Sequence, residues 1–167
     1  MNNIPAALER AMSATLREHA NLGTGVALRA FQSLINDPAV DQDGSKYWPC
    51  VDIRVAPPVT DENQATLHCD IAMLCGTYNE DDRQHTALRG LYEAVQSVCD
   101  RIFDEFQGWY HAGGTTVKDA FETAINAELD RAINIGGYTF GEGMAPYDDG
   151  GVNMIGITFR VHYTRIT

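Results

Sequence analysis

The chain has 167 residues, 44% of them hydrophobic and 21% charged, which is the composition of one ordinary globular domain that buries its own core and not that of a disordered chain. Twelve Lys and Arg against 23 Asp and Glu give a net charge of −11, which opposes binding to phosphate backbones and anionic lipid. The longest clear apolar stretch, Met154 to Phe159, is far shorter than the roughly 20 residues a membrane-crossing helix needs, and the N-terminal residues Met1 to Arg10 show no basic segment followed by an apolar core. The expectation is a protein kept in a cytosol-like compartment and bound to no membrane.

Ile4, Leu8, Ala11, Met12, Thr15 and Leu16 recur at helical spacing, with Glu9, Arg10, Arg17 and Glu18 largely off that stripe. An amphipathic helix is predicted from Ile4 to about His19. Leu22-Gly-Thr-Gly25 breaks it. The segment Val26 to Ile35 carries two patterns at once, alternation at Val26, Leu28 and Ala30 and a helical stripe at Ala27, Phe31, Leu34 and Ile35, and it is read as a second helix. Asn36 to Lys46, rich in Asp and Gly, is read as a loop. From Tyr47 to Val55 the chain alternates, Val51, Ile53 and Val55 on one face and Cys50, Asp52 and Arg54 on the other, which predicts a half-buried strand. Pro57-Pro58 ends it. Leu67, Cys69, Ile71, Met73 and Cys75 then alternate with Thr66, His68, Asp70 and Ala72, and the short link makes an antiparallel hairpin the default.

Beyond the acidic run Asn79 to Asp82, Leu88, Leu91, Val95, Val98, Ile102 and Phe106 form the strongest helical stripe, predicting a helix from about Arg83 to Phe106 whose acidic start suits the helix dipole. Gly108 and Gly113-Gly114 interrupt the chain. A shorter helix, Thr115 to Leu129, follows, capped by Thr115 or Thr116. The last region reads as a Gly-rich strand from about Arg131 to Glu142, a loop from Met144 to Gly151, and a long strand with Ile155, Ile157, Phe159, Val161 and Tyr163 on one face against Thr158, Arg160, His162 and Thr164. Nothing in composition divides the chain. The expectation is a single domain over residues 1–167 of the α+β class, with a mainly antiparallel sheet of about four strands and helices packed on one face.

The chemistry-bearing residues supply no constellation. Gly-x-Ser-x-Gly is absent, and Cys50, Cys69, Cys75 and Cys99 lack both a C-x-x-C pair and the setting of a catalytic thiol, so buried free thiols are expected. His68-Cys69 followed by Cys75 does not have zinc-ligand spacing. Gly113-Gly-Thr-Thr-Val-Lys118 leads into a helix but follows a helix, where a phosphate-binding loop would follow a strand. Asp41-Gln-Asp-Gly-Ser45 is only a fragment of a calcium loop, without its closing Glu. The acidic pairs and runs at Asp41 and Asp43, Asp61 and Glu62, Glu80 to Asp82, and Asp148 and Asp149 are read as solvated loops, and the five histidines as ordinary surface or hydrogen-bonded groups. No catalytic, cofactor-binding or metal-binding residue is assigned, no cofactor is expected, and the chain is read as a non-enzyme. What stands out is the polar face of the predicted sheet, carrying Asp52, Arg54, His68, Asp70, Arg160 and His162; with free strand edges it suits a wet subunit interface.

The N-terminal helix, the strand Tyr47-Trp-Pro-Cys-Val-Asp-Ile-Arg-Val55, the strand Thr66-Leu-His-Cys-Asp-Ile-Ala-Met-Leu74, the long helix from about Arg83 to Phe106, and the glycine- and acid-rich hairpin ending in Ile157-Thr-Phe-Arg-Val-His-Tyr163 together make the chain resemble the tail-terminator or tail-completion proteins of long-tailed bacteriophages. The likeness lies in element order and strand texture over most of the chain. It implies a virion protein of the tail and neck, assembled in the bacterial host cytoplasm, that caps the tail tube as a homohexameric ring without a cofactor. Its partners would be itself, the tail tube protein and a neck or connector protein, with DNA passing through unbound. A head-proximal neck or connector subunit shares much of this texture, and a small-molecule-binding or enzymatic ferredoxin-like domain remains the alternative of another class.

Overall fold

The structure, a computed structural model, describes residues 3–22, 25–30, 35–37, 49–78, 80–104 and 116–166. Helix α1 runs Ile4–His19. Asn3 starts it, its side-chain oxygen accepting from the Ala6 N–H at 3.1 Å, and Pro5 sits in the first turn, where a missing N–H costs nothing. The stripe read from the sequence, Ile4, Leu8, Ala11, Met12, Thr15 and Leu16, is buried throughout.

Among the described residues eight strands follow: β1 Ala27–Ala30, β2 Ile35–Asp37, β3 Cys50–Val55, β4 Val59–Thr60, β5 Leu67–Tyr78, β6 Ile133–Phe140, β7 Met144–Asp149 and β8 Val152–Arg165, with helices α2 Thr86–Phe103 and α3 Val117–Leu129 between β5 and β6. They form one sheet in the order β2-β1-β3-β5-β8-β6, with β4 alongside β5 and β7 alongside β8. The class is α+β, but the expected sheet of about four strands is corrected to an eight-stranded mixed sheet, because β1 lies parallel to β3, from Ala27 opposite Cys50 to Ala30 opposite Ile53. The expected helix from Val26 to Ile35 is also corrected. Residues 27–30 pair with β3 on one side and, antiparallel, with 35–37 on the other, so inter-strand hydrogen bonds overrode a helical stripe too short to bury a face by itself. Residues 31–34, and the sequence readings at 38–48 and 105–115, lie outside the described residues.

The hairpin of β3 and β5 has the expected antiparallel form, from Cys50 opposite Gly76 to Val55 opposite Ile71. Pro57 and Pro58 end β3 because proline has no N–H to donate, and β4 resumes on the same edge of β5. A third correction falls at Met144–Asp149, read as loop but forming strand β7. Strand β8 is 14 residues long; β6 covers its half from Phe159 to Arg165 and β7 its half from Val152 to Gly156. The corner between them is close-packed. A Cβ on Gly143 would lie 2.7 Å from the Gly156 carbonyl oxygen, so Gly143→Ala is expected to cost about 1–3 kcal/mol. Gly90→Ala, in α2 with open space around it, should instead stabilise by about 0.5–1 kcal/mol. Urea titration of the two variants tests the pair, and an unchanged midpoint for Gly143→Ala would contradict this packing.

One face of the sheet carries Val51, Ile53, Val55, Cys69, Ile71, Met73, Cys75, Ile157, Phe159, Val161 and Tyr163, all in one core with the inward stripes of α1, α2 and α3. Beyond the level of Ile53, β1 no longer flanks β3, and there the buried Glu9 of α1 accepts from the Val55 N–H at 3.3 Å. No helix among the described residues is long and apolar enough to cross a membrane.

Candidate functional site

The face turned away from the helices is polar, and the register of the strands decides who meets whom on it. Asp70 of β5 stands opposite Arg160 of β8. The guanidinium donates to both carboxylate oxygens, Nε to Oδ1 at 2.7 Å and Nη2 to Oδ2 at 3.1 Å. This fork geometry is the strong form of an ion pair, and the Arg160 hydrogen bond holds the Asp70 carboxyl below its ordinary range against the opposing effect of burial. On β3, Arg54 donates to Asp52 Oδ2 from Nη2 at 3.1 Å.

One pair further along, His68 stands opposite His162, their ring centroids 5.7 Å apart. Asp61 reaches over both from the turn between β4 and β5. That turn is fixed by the Asp61 N–H donating to the Thr66 carbonyl at 2.9 Å and the Gln64 N–H to the Asp61 carbonyl at 2.8 Å, with Gln64 in the left-handed region at φ 59°. The Asp61 carboxylate accepts from the Thr66 hydroxyl, meets His68 Nδ1 at 2.6 Å through Oδ1 and His162 Nδ1 at 3.2 Å through Oδ2. The far nitrogen of His162, Nε2, lies 2.9 Å from Thr139 Oγ1 on β6. The Thr66 hydroxyl, then His68, and against them burial, set the Asp61 carboxyl well below the usual carboxylate range. The Asp61 and His68 side chains are only 15% and 12% exposed, so this aspartate is not the freely solvated loop residue its sequence context suggested.

The cysteines are not part of this cluster. Cys69 and Cys75 lie in the core beneath the helices, and all four thiols are free and buried. Burial pushes Cys50 and Cys75 up to about 12 and Cys69 to about 11, which leaves them protonated and unreactive at neutral pH. His68 therefore does not converge with Cys69 and Cys75. It converges with His162, 94 positions away by the difference of their numbers, and with Asp61. The sequence reading placed both histidines on polar strand faces without bringing them together, because nothing short of the register of β5 against β8 encodes their meeting.

The described residues also line two concavities. A cleft of about 500 Å³ lies between the start of α2 and β7, walled by Leu88, Tyr92, Tyr147 and Ile155, with His85 Nε2 3.5 Å from Asp148 Oδ1 at its rim. A shallower trough of about 390 Å³ runs over the polar face from Asp52 and Arg54 to Glu142 and Thr158. The candidate Gly113-Gly114 and Asp41 to Ser45 loops lie outside the described residues. No family model and no curated protein sequence matches the chain.

Proposed function

We propose that this chain is a structural virion protein that caps the phage tail tube as a homohexameric ring and joins it to the head-side neck, without catalysis and without specific binding of the DNA that passes through. The observation that carries the reading is the open sheet: among the described residues, β2 has no strand neighbour beyond β1, and β6 none beyond β8. Free edges at opposite ends of one sheet suit head-to-tail pairing between copies, and a head-to-tail contact closes into a ring when its rotation divides a full turn. The polar face with its Asp70–Arg160 and Asp52–Arg54 pairs matches the wet, hydrogen-bonded character of a subunit interface. A net charge of −11 would repel DNA from the wall of such a ring and let it slide.

The purified chain mixed with tail tubes is expected to form rings seated on the tube ends, seen by negative-stain imaging and counted by mass photometry. Monomers alone, with tubes present, would sink the terminator reading. Rings bound to the head-side connector but never to tubes would move the protein to the neck.

A further inference from the structure

We propose that Asp61, His68 and His162 form a binding site for a divalent first-row transition metal ion, zinc foremost, with three protein ligands and an open position toward solvent. One donor atom from each residue, a carboxylate oxygen and a ring nitrogen of each histidine, lies within 4.8 Å of the other two, and the Asp61 carboxylate meets His68 Nδ1 at 2.6 Å and His162 Nδ1 at 3.2 Å. Donors about 2.0–2.1 Å from a tetrahedral zinc ion sit about 3.3 Å from each other. The two carboxylate–imidazole separations, 2.6 and 3.2 Å, lie just below that value, so a small outward rotation of the side chains admits the ion.

Three further features go beyond what a pair of histidine–aspartate contacts requires. The ligands come from three backbone segments held independently: the two histidines are opposed on the two central strands, and Asp61 is fixed by its own turn. Both histidines present the same nitrogen, Nδ1, to one carboxylate, His68 to Oδ1 and His162 to Oδ2, so both rings turn the same edge toward Asp61. The outer nitrogen of His162 meets the Thr139 hydroxyl at 2.9 Å, the outer contact that orients a metal-bound imidazole and fixes its tautomer. Two imidazoles and one carboxylate select zinc and its neighbours over calcium and magnesium, which favour all-oxygen sets. Arg160, the nearest cation along β8, is held by Asp70 through two hydrogen bonds, so its charge is already matched.

The test uses the full chain, free of any histidine tag, with Zn²⁺ and Co²⁺ as probes. Isothermal titration is expected to show one Zn²⁺ per chain, removed by a chelator. Co²⁺ should give the visible spectrum of a low-coordinate nitrogen and oxygen site without a thiolate charge-transfer band, and long-range proton–nitrogen spectra of the wild type should show Nδ1 of two histidines shifting together. Asp61→Asn and His162→Gln should abolish stoichiometric binding. Thr139→Val, which leaves all three ligands in place, should weaken it about 10- to 100-fold. No zinc uptake by the wild type, or histidine spectra unmoved by zinc, would overturn the site even where a ligand variant fails to fold. Unchanged binding in both Asp61→Asn and His162→Gln would do the same.

Discussion

Phe159→Ala is expected to lower the free energy of unfolding by about 3–5 kcal/mol. Phe159 is fully buried at the middle of β8, opposite Ile71 of β5 and Phe140 of β6. Its ring stacks on Tyr138 with centroids 5.3 Å apart and meets the edge of Phe140 at 5.4 Å, while Phe121 of α3 reaches Tyr138 from the helix layer at 6.1 Å. Removing the ring takes away its own transfer free energy and leaves a cavity bounded by two strands and a helix that cannot close on it without breaking sheet pairing. Aromatic pairing adds about 0.5–1.5 kcal/mol per contact to what burial supplies. Denaturant titration with circular dichroism measures the loss, and Phe159→Leu, which keeps more of the volume, should cost less than the alanine variant. A loss below about 1 kcal/mol for the alanine variant would mean that this aromatic layer is not packed as described.

Asp82→Ala should cost about 2–4 kcal/mol, because one buried carboxylate performs several tasks at the start of α2. Its Oδ1 accepts from the Ala87 N–H, and its Oδ2 from the Leu88 N–H and the Thr77 hydroxyl, each at 2.9 Å. The Asp82 backbone carbonyl in turn accepts from the Asn153 side chain at 3.1 Å, tying the helix start to β5 and β8. His85, directly before the helix, has left-handed backbone and makes no side-chain cap, so the capping that α2 needs comes from Asp82. Burial pushes the Asp82 carboxyl up, but the two backbone N–H groups and the Thr77 hydroxyl outweigh it, and the net displacement is below the ordinary value of 3.8. A carboxyl lowered on folding contributes stability that is complete above its unfolded value and is lost as pH falls through the folded one. The difference between wild type and Asp82→Asn should therefore be constant near neutrality and shrink below about pH 4. A difference that grew on acidification would reverse the sign and refute the assignment.

The two ends of the chain show how legibility depended on element length. α1 and β8 were visible because each repeats its period many times, 16 residues in α1 and 14 in β8, so burial of one face imposes the pattern on composition. The α2 stripe was equally clear, although the helix starts at Thr86 and not at about Arg83, with Asp82 accepting from its first N–H groups from outside. β1 and β2 were lost because four and three residues carry too few periods to separate alternation from a helical stripe. β7, with Pro146 and two aspartates, has the composition of a turn. It is a strand because β8 extends past β6 and leaves hydrogen-bonding groups that the next passing segment satisfies.

By itself the sequence determined which faces are apolar, and so one helix-covered side of a sheet and one polar side, because burying an apolar face is a local demand written at fixed spacing. It also placed Cys69 and Cys75 on the apolar face of their strand. Only the tertiary structure decided which polar residues meet. The register that sets Leu67 opposite Tyr163 also sets His68 opposite His162 and Asp70 opposite Arg160; a slip of one residue would turn these side chains to the core. Asp61 and His162, 101 positions apart in sequence, become neighbours through that register and one short turn, and long-range pairing of this kind leaves no spacing in the sequence to read.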